Sequence, residues 1–188
     1  MFFDELDEFL VAFRTRNLAD SEAKSVREEE DIIDELLDLY LLAFYEGAKD
    51  AGKELMVDVE PSVRDAENII NRPIEGKTFR DRVRDYLSGN MGETTGTPAE
   101  AIARVAETDS VRIYNEAKLD TAKANGAKEK TWRTMEDNRV RDTHVLLDGV
   151  TVPIDGYFYT YTGAKAQAPS QFGDAAEDVG CRCWITVK

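Results

Sequence analysis

Residues 97–126 read TPAEAIARVAETDSVRIYNEAKLDTAKANG, and the way this stretch begins and ends decides the fold. Thr97, Pro98 and Glu100 put an N-cap hydroxyl, a first-turn proline and a reciprocating carboxylate in the places that start a helix. Ile102, Val105, Ala106, Ile113 and Ala117 then recur at steps that keep them on one side, with Asp109 interrupting the stripe. The helix is expected to end near Gly126. Beyond it the texture changes to short β-type runs at 130–135, 150–154, 157–161 and 183–187, joined by turn-forming residues. A helical part followed by a small β-rich part predicts an α+β fold, with a mainly helical region over residues 1–126 and a compact C-terminal module over 127–188.

Upstream of Thr97 the pattern is helical. Between residues 25 and 55, Ile33, Leu36, Leu37, Tyr40, Leu41 and Phe44 recur at three- and four-residue steps. Glu28, Glu29, Glu30 and Asp31 lie in the first turns, where negative charge suits the helix dipole, and Gly52 offers a stop. A shorter helix over 2–13 carries Phe2, Leu6, Phe9, Leu10 and Phe13. Further short helices are expected over 61–70 and 79–87, separated by Asn71-Arg72-Pro73 and Gly76, with a flexible break over 89–96. Five of the eight phenylalanines fall in the first 45 residues. That is more apolar surface than two helices hide against each other, so it is expected to enter the chain's own core, with an oligomeric or partner interface as the alternative.

The 188 residues carry a net charge of −14, distributed unevenly: residues 1–70 hold 20 Asp and Glu against 7 Lys and Arg. Phosphate backbones are held by displacing counterions with Lys and Arg, so direct DNA binding by the N-terminal region is not expected and a basic protein surface suits it better. A solvated acidic face that aids solubility is the plainer reading. No apolar run approaches the roughly 20 residues that span a bilayer, and the N-terminus lacks the basic segment and cleavage site of an export signal.

The C-terminal part concentrates the chemistry. His144 is the only histidine, and Cys181 and Cys183 are the only cysteines. In an extended Cys-Arg-Cys the two thiols share a face, so with His144 they could hold one metal ion. Zinc usually takes four ligands, and a carboxylate, Asp142 or Asp137, is the candidate fourth. A reduced thiol pair or a disulfide is the alternative. Asp148-Gly149, between 145–147 and 150–152, marks a tight turn, and 164–179 reads as a long loop containing Pro169 and Gly173.

Taken in order, Trp132-Arg133-Thr134, Asp137-x-Arg139-x-Arg141-x-x-His144, Leu147-Asp148-Gly149, Pro153 and Cys181-Arg182-Cys183 resemble the C-terminal module of the phage Mu F-like head morphogenesis family. Gly76-Lys77-Thr78-Phe79 and the run from Ala103-Arg104 to Arg112 are similar to segments that precede it there, extending the resemblance to about residues 60–188. The chain departs from that pattern at Ala168-Pro169-Ser170 and Val179-Gly180. The resemblance implies a minor virion protein acting in head assembly and DNA delivery, associated with the portal or other head proteins, present in the host cytoplasm during assembly and then in the particle, and not an enzyme; the apolar excess near the N-terminus leaves a homo-oligomer open. Within the module, Trp132, Asp137, Arg139 and Arg141 are expected to form a structural polar cluster, the arginines pairing with Asp137 or Asp142 while His144 lies against the cysteines. Two other readings remain: a metal-dependent hydrolase built on the His/Cys/Asp group, and a toxin-delivery type of Mu F module.

Overall fold

The computed structural model describes residues 2–14, 26–90 and 96–188, so the expected helix start at Ser25 and most of the expected break at 89–96 lie outside the described residues. Among the described residues, seven helices and five strands follow in order: α1 (Phe2–Arg14), α2 (Val26–Leu55), α3 (Val63–Ile70), α4 (Phe79–Leu87), α5 (Pro98–Ala124), β1 (Glu129–Arg133), α6 (Asp142–Val145), β2 (Thr151–Pro153), β3 (Phe158–Tyr159), β4 (Lys165–Ala166), α7 (Ala175–Asp178) and β5 (Trp184–Val187). The α+β reading holds, with the helices first and a small strand module last.

The helix starts are local chemistry. Thr97 and Thr78 each accept from the third helical N–H, and Glu100 and Asp81 return the bond to the cap residue, completing two capping boxes. Ser62 caps α3, two residues later than the sequence suggests. Gly52 does not end α2: the helix runs three residues further and closes with Met56 at φ 57.

The long helices α2 and α5 pack against each other along most of their length, and Gly47 shows how closely. A Cβ at this position would sit 2.1 Å from the Tyr114 carbonyl oxygen. Gly47→Ala is expected to force the helices apart and destabilise the fold by about 1–3 kcal/mol despite the better helix propensity of alanine. A urea midpoint equal to or above that of the unchanged protein would contradict this packing.

α5 is buried on nearly every side, polar residues included. Asp109, which breaks the sequence stripe, accepts from Arg82 Nη2 at 2.5 Å and from the Tyr40 hydroxyl at 3.4 Å. Glu107 receives Arg14 and Arg139, each at 3.1 Å. Glu116 receives Arg112 at 3.0 Å and also Arg72, while Lys118 reaches Glu54 at 2.8 Å. A helix can carry such charges through a core only when each meets a partner, because an isolated buried charge costs several kcal/mol. Burial still pushes the Glu116 carboxyl above its usual range against the two arginines.

The N-terminal apolar surface enters this core. Phe2, Phe3, Leu6, Leu10 and Phe13 of α1 are buried together with Ile33, Leu36, Tyr40 and Phe44 of α2, each side chain worth about 1.5–3 kcal/mol of removal from water. The Phe2 ring stacks on Tyr114 with centroids 5.1 Å apart, and Phe3 lies 5.7 Å from Trp184.

The strands form a three-stranded antiparallel sheet in the order β2-β1-β5 and a separate β3-β4 pair. The central strand pairs Lys130 with Val152 on one side and Trp132 with Ile185 on the other. The tight turn expected at Asp148-Gly149 is present directly after α6, with Gly149 at φ 74, while the expected loop over 164–179 contains β4 and α7. The sheet is joined to α5 by Asn115, which donates to the Cys183 carbonyl at 3.1 Å and accepts from the Ile185 N–H at 3.0 Å.

Lys130 is fully buried on β1, its ammonium donating to the Ile154 carbonyl at 2.6 Å. Burial first, then Lys123, lowers its pKa from 10.5 to about 8. The unfolded chain therefore binds more protons between these values, and this group makes stability rise with pH through that window. Lys130→Met is expected to flatten the rise, measured as urea midpoints from pH 8 to 10.5; an unchanged slope would refute the assignment.

Candidate functional site

Cys181 and Cys183 are buried, while Arg182 between them turns to Asp7 and Asp137. Both cysteines are free, and His144, on the single turn of α6, is buried against them. His144 Nδ1 lies 3.6 Å from Cys181 Sγ and 3.6 Å from Cys183 Sγ. Phe172 stacks on the imidazole at 5.5 Å, and Trp132 meets it edge-on at 5.3 Å. The expected grouping of His144 with the cysteines is present.

Their mutual hydrogen bond shifts the two thiols in opposite directions. The hydrogen bond from Cys183 holds the Cys181 thiol well below its usual range against the opposing effect of burial, with His144 adding to the lowering. The same bond and burial push the Cys183 thiol up.

Asp142 does not join the group. It is exposed, and two positions along a helical turn from His144 it faces nearly the opposite way. Asp137 is also elsewhere, accepting from Arg182 Nη1 at 2.8 Å. Among the described residues, the ligand-type side chains gathered here are His144, Cys181 and Cys183. The carboxylate near the ring is Glu177 on α7, with Oε2 3.2 Å from His144 Nε2 but off the line of the ring N–H. Glu177 is held by the Thr143 hydroxyl at 2.8 Å and the Thr162 hydroxyl at 3.3 Å. It lies 33 positions after the histidine in sequence; the Asp174 cap, which accepts from the Ala176 N–H, is the local signal that a helical turn exists there.

The polar cluster is rearranged as well. Arg139 pairs with Glu107 of α5, and its backbone N–H, not its guanidinium, meets Asp137, at 3.0 Å. Arg141 donates to the Val179 carbonyl and so ties α6 to the segment before the cysteines. Arg182 spans Asp137 and Asp7 of α1, the latter at 2.9 Å. Trp132 is fully buried at the module's centre, in ring contact with Phe158 at 5.2 Å. Arg139 and Arg182 thus fasten the module to α5 and α1.

The fold and this arrangement are those of a small polar-stapled module seated on a long buried helix, and the chain belongs to the family described as phage Mu protein F like protein, whose model matches residues 65–186. That span begins in α3 and runs to β5, so the family unit includes the central helices as well as the module. The chain is also 34% identical over 144 residues to the NAD(+)--arginine ADP-ribosyltransferase EFV of Enterococcus faecalis (strain ATCC 700802 / V583); the match covers 62% of this chain but 29% of that protein. No solved structure matches the chain.

Proposed function

We propose that the chain is a minor structural component of a phage head, acting in head morphogenesis at the portal. The observation that carries this reading is the family match from α3 to β5, which supports a head-related structural role. The physical character of the surface agrees with a protein partner. On α2, Asp31, Asp34 and Asp38 are exposed at three- and four-residue steps and form an acidic stripe facing solvent. Such a stripe repels a phosphate backbone and attracts a basic protein surface. Among the described residues no helix is long and apolar enough to cross a membrane.

The test is coexpression with the portal protein of the same phage. The two are expected to copurify, in a complex weakened by salt and by the triple change Asp31→Asn, Asp34→Asn, Asp38→Asn. A chain that elutes apart from portal at low salt removes the portal assignment.

A second reading follows from the Enterococcus relative: a module carried by an ADP-ribosylating protein. Transfer of ADP-ribose from NAD to arginine by the purified chain would favour it. The head reading predicts none.

A further inference from the structure

We propose that His144, Cys181 and Cys183 form a buried zinc site that locks β5 to α6. This goes beyond the head-protein reading and does not depend on it. Zinc–sulfur bonds of about 2.3 Å and zinc–nitrogen bonds of about 2.0–2.1 Å, set at tetrahedral angles, give a nitrogen-to-sulfur edge of about 3.5–3.6 Å. Both His144-to-cysteine separations are 3.6 Å. The three ligand atoms all lie within 4.8 Å of one another, so one ion can touch all three.

The surroundings point the same way. A ring with its proton on Nε2, the side of Glu177, presents the Nδ1 lone pair to the sulfurs, and a carboxylate beside the second nitrogen is the usual companion of a metal-bound histidine. Glu177 stands in that place, 3.2 Å from Nε2, and is itself steadied by Thr143 and Thr162. The buried Nε2 makes no hydrogen bond in this structure; a small rotation of the ring on coordination would bring its N–H onto the carboxylate. Two sulfurs and one imidazole select a soft or borderline cation, and zinc is the divalent ion that such a set suits.

Three protein ligands leave the fourth tetrahedral position to a water. The ligands are only 1–2% exposed and walled by Trp132 and Phe172, which makes the site a staple and not a substrate pocket. Cys183 adjoins β5, whose neighbour β1 carries Trp132, and His144 sits on α6. One ion therefore joins segments 37 and 39 residues apart in a module with a small apolar core.

The full chain, purified under reducing conditions without metal-affinity resin, is to be analysed for metals and then titrated with cobalt after chelation. The proposal expects about one zinc per chain, a fall in thermal midpoint on chelation that zinc reverses, and thiolate-to-cobalt charge-transfer bands with intense tetrahedral visible bands. Cys181→Ser and Cys183→Ser should abolish these bands. Glu177→Gln should retain the stoichiometry at saturation and weaken affinity about 10- to 100-fold. Unchanged protein that folds cooperatively, takes up neither metal under reducing conditions and ignores the chelator would overturn the site. So would zinc retained by Cys183→Ser, or a native mass short by two hydrogens from a Cys181–Cys183 disulfide. None of these results bears on copurification with portal, so the two proposals fail separately.

Discussion

Replacing Arg82 with methionine is expected to destabilise the protein by about 3–5 kcal/mol, because among the described residues it leaves the buried Asp109 with only the distant Tyr40 hydroxyl as a partner. The Asp109 side chain is 1% exposed and that of Arg82 17%, so water does little to screen the pair. Removing both charges should behave differently. Arg82→Met with Asp109→Leu is expected to be close to the unchanged protein, since two well-packed apolar side chains avoid the desolvation that the ion pair has to offset. Urea denaturation of the two single variants and the double variant gives the coupling directly. Additive losses would show that the pair is not a unit and that α4 is held to α5 by other contacts.

Trp132→Ala is expected to cost a similar amount, about 3–5 kcal/mol, for a different reason. The indole fills the centre of the module and meets Phe158, Phe172 and His144 at centroid distances of 5.2 to 5.8 Å. Its loss opens a cavity that a rigid three-stranded sheet cannot close. Hydrogen exchange should then quicken in β1 and β5 more than in α2, where the core belongs to other residues. Trp132→Phe, which refills most of the space, should recover much of the loss. Equal quickening in α2 would mean that helices and module unfold together.

Much of this architecture was readable where the signal is local. Thr97, Pro98 and Glu100 announce α5 because a cap needs only neighbours in sequence, and Thr78 with Asp81 does the same for α4. The grouping of His144 with the cysteines was readable because side chains two apart on an extended strand share a face and the chain has no other histidine. Pairings made across the fold were not. Asp109 looks like a defect in a stripe until Arg82, 27 positions earlier, and Tyr40, 69 earlier, are seen around it. Asp142 stays apart from the group because a one-turn helix too short to show periodicity sets it facing away from His144, while Glu177 arrives from a loop whose path no local pattern specifies. Arg139 and Arg182 find their partners far away in sequence, Glu107 of α5 and Asp7 of α1, and no local pattern announces either pairing.

These contacts make the helices and the module mutually supporting, with Asn115, Arg139 and Arg182 as the joints. A head component needs such a body to hold its shape while one face engages a neighbour, and the acidic stripe of α2 is the face left free for that purpose in this reading. Quantitative mass spectrometry of purified particles of the phage that encodes the chain, combined with cross-linking, tests the head assignment most directly. The account predicts a constant low copy number per particle, with cross-links joining α2 to portal. Particles that assemble fully and package DNA without containing this chain would contradict it.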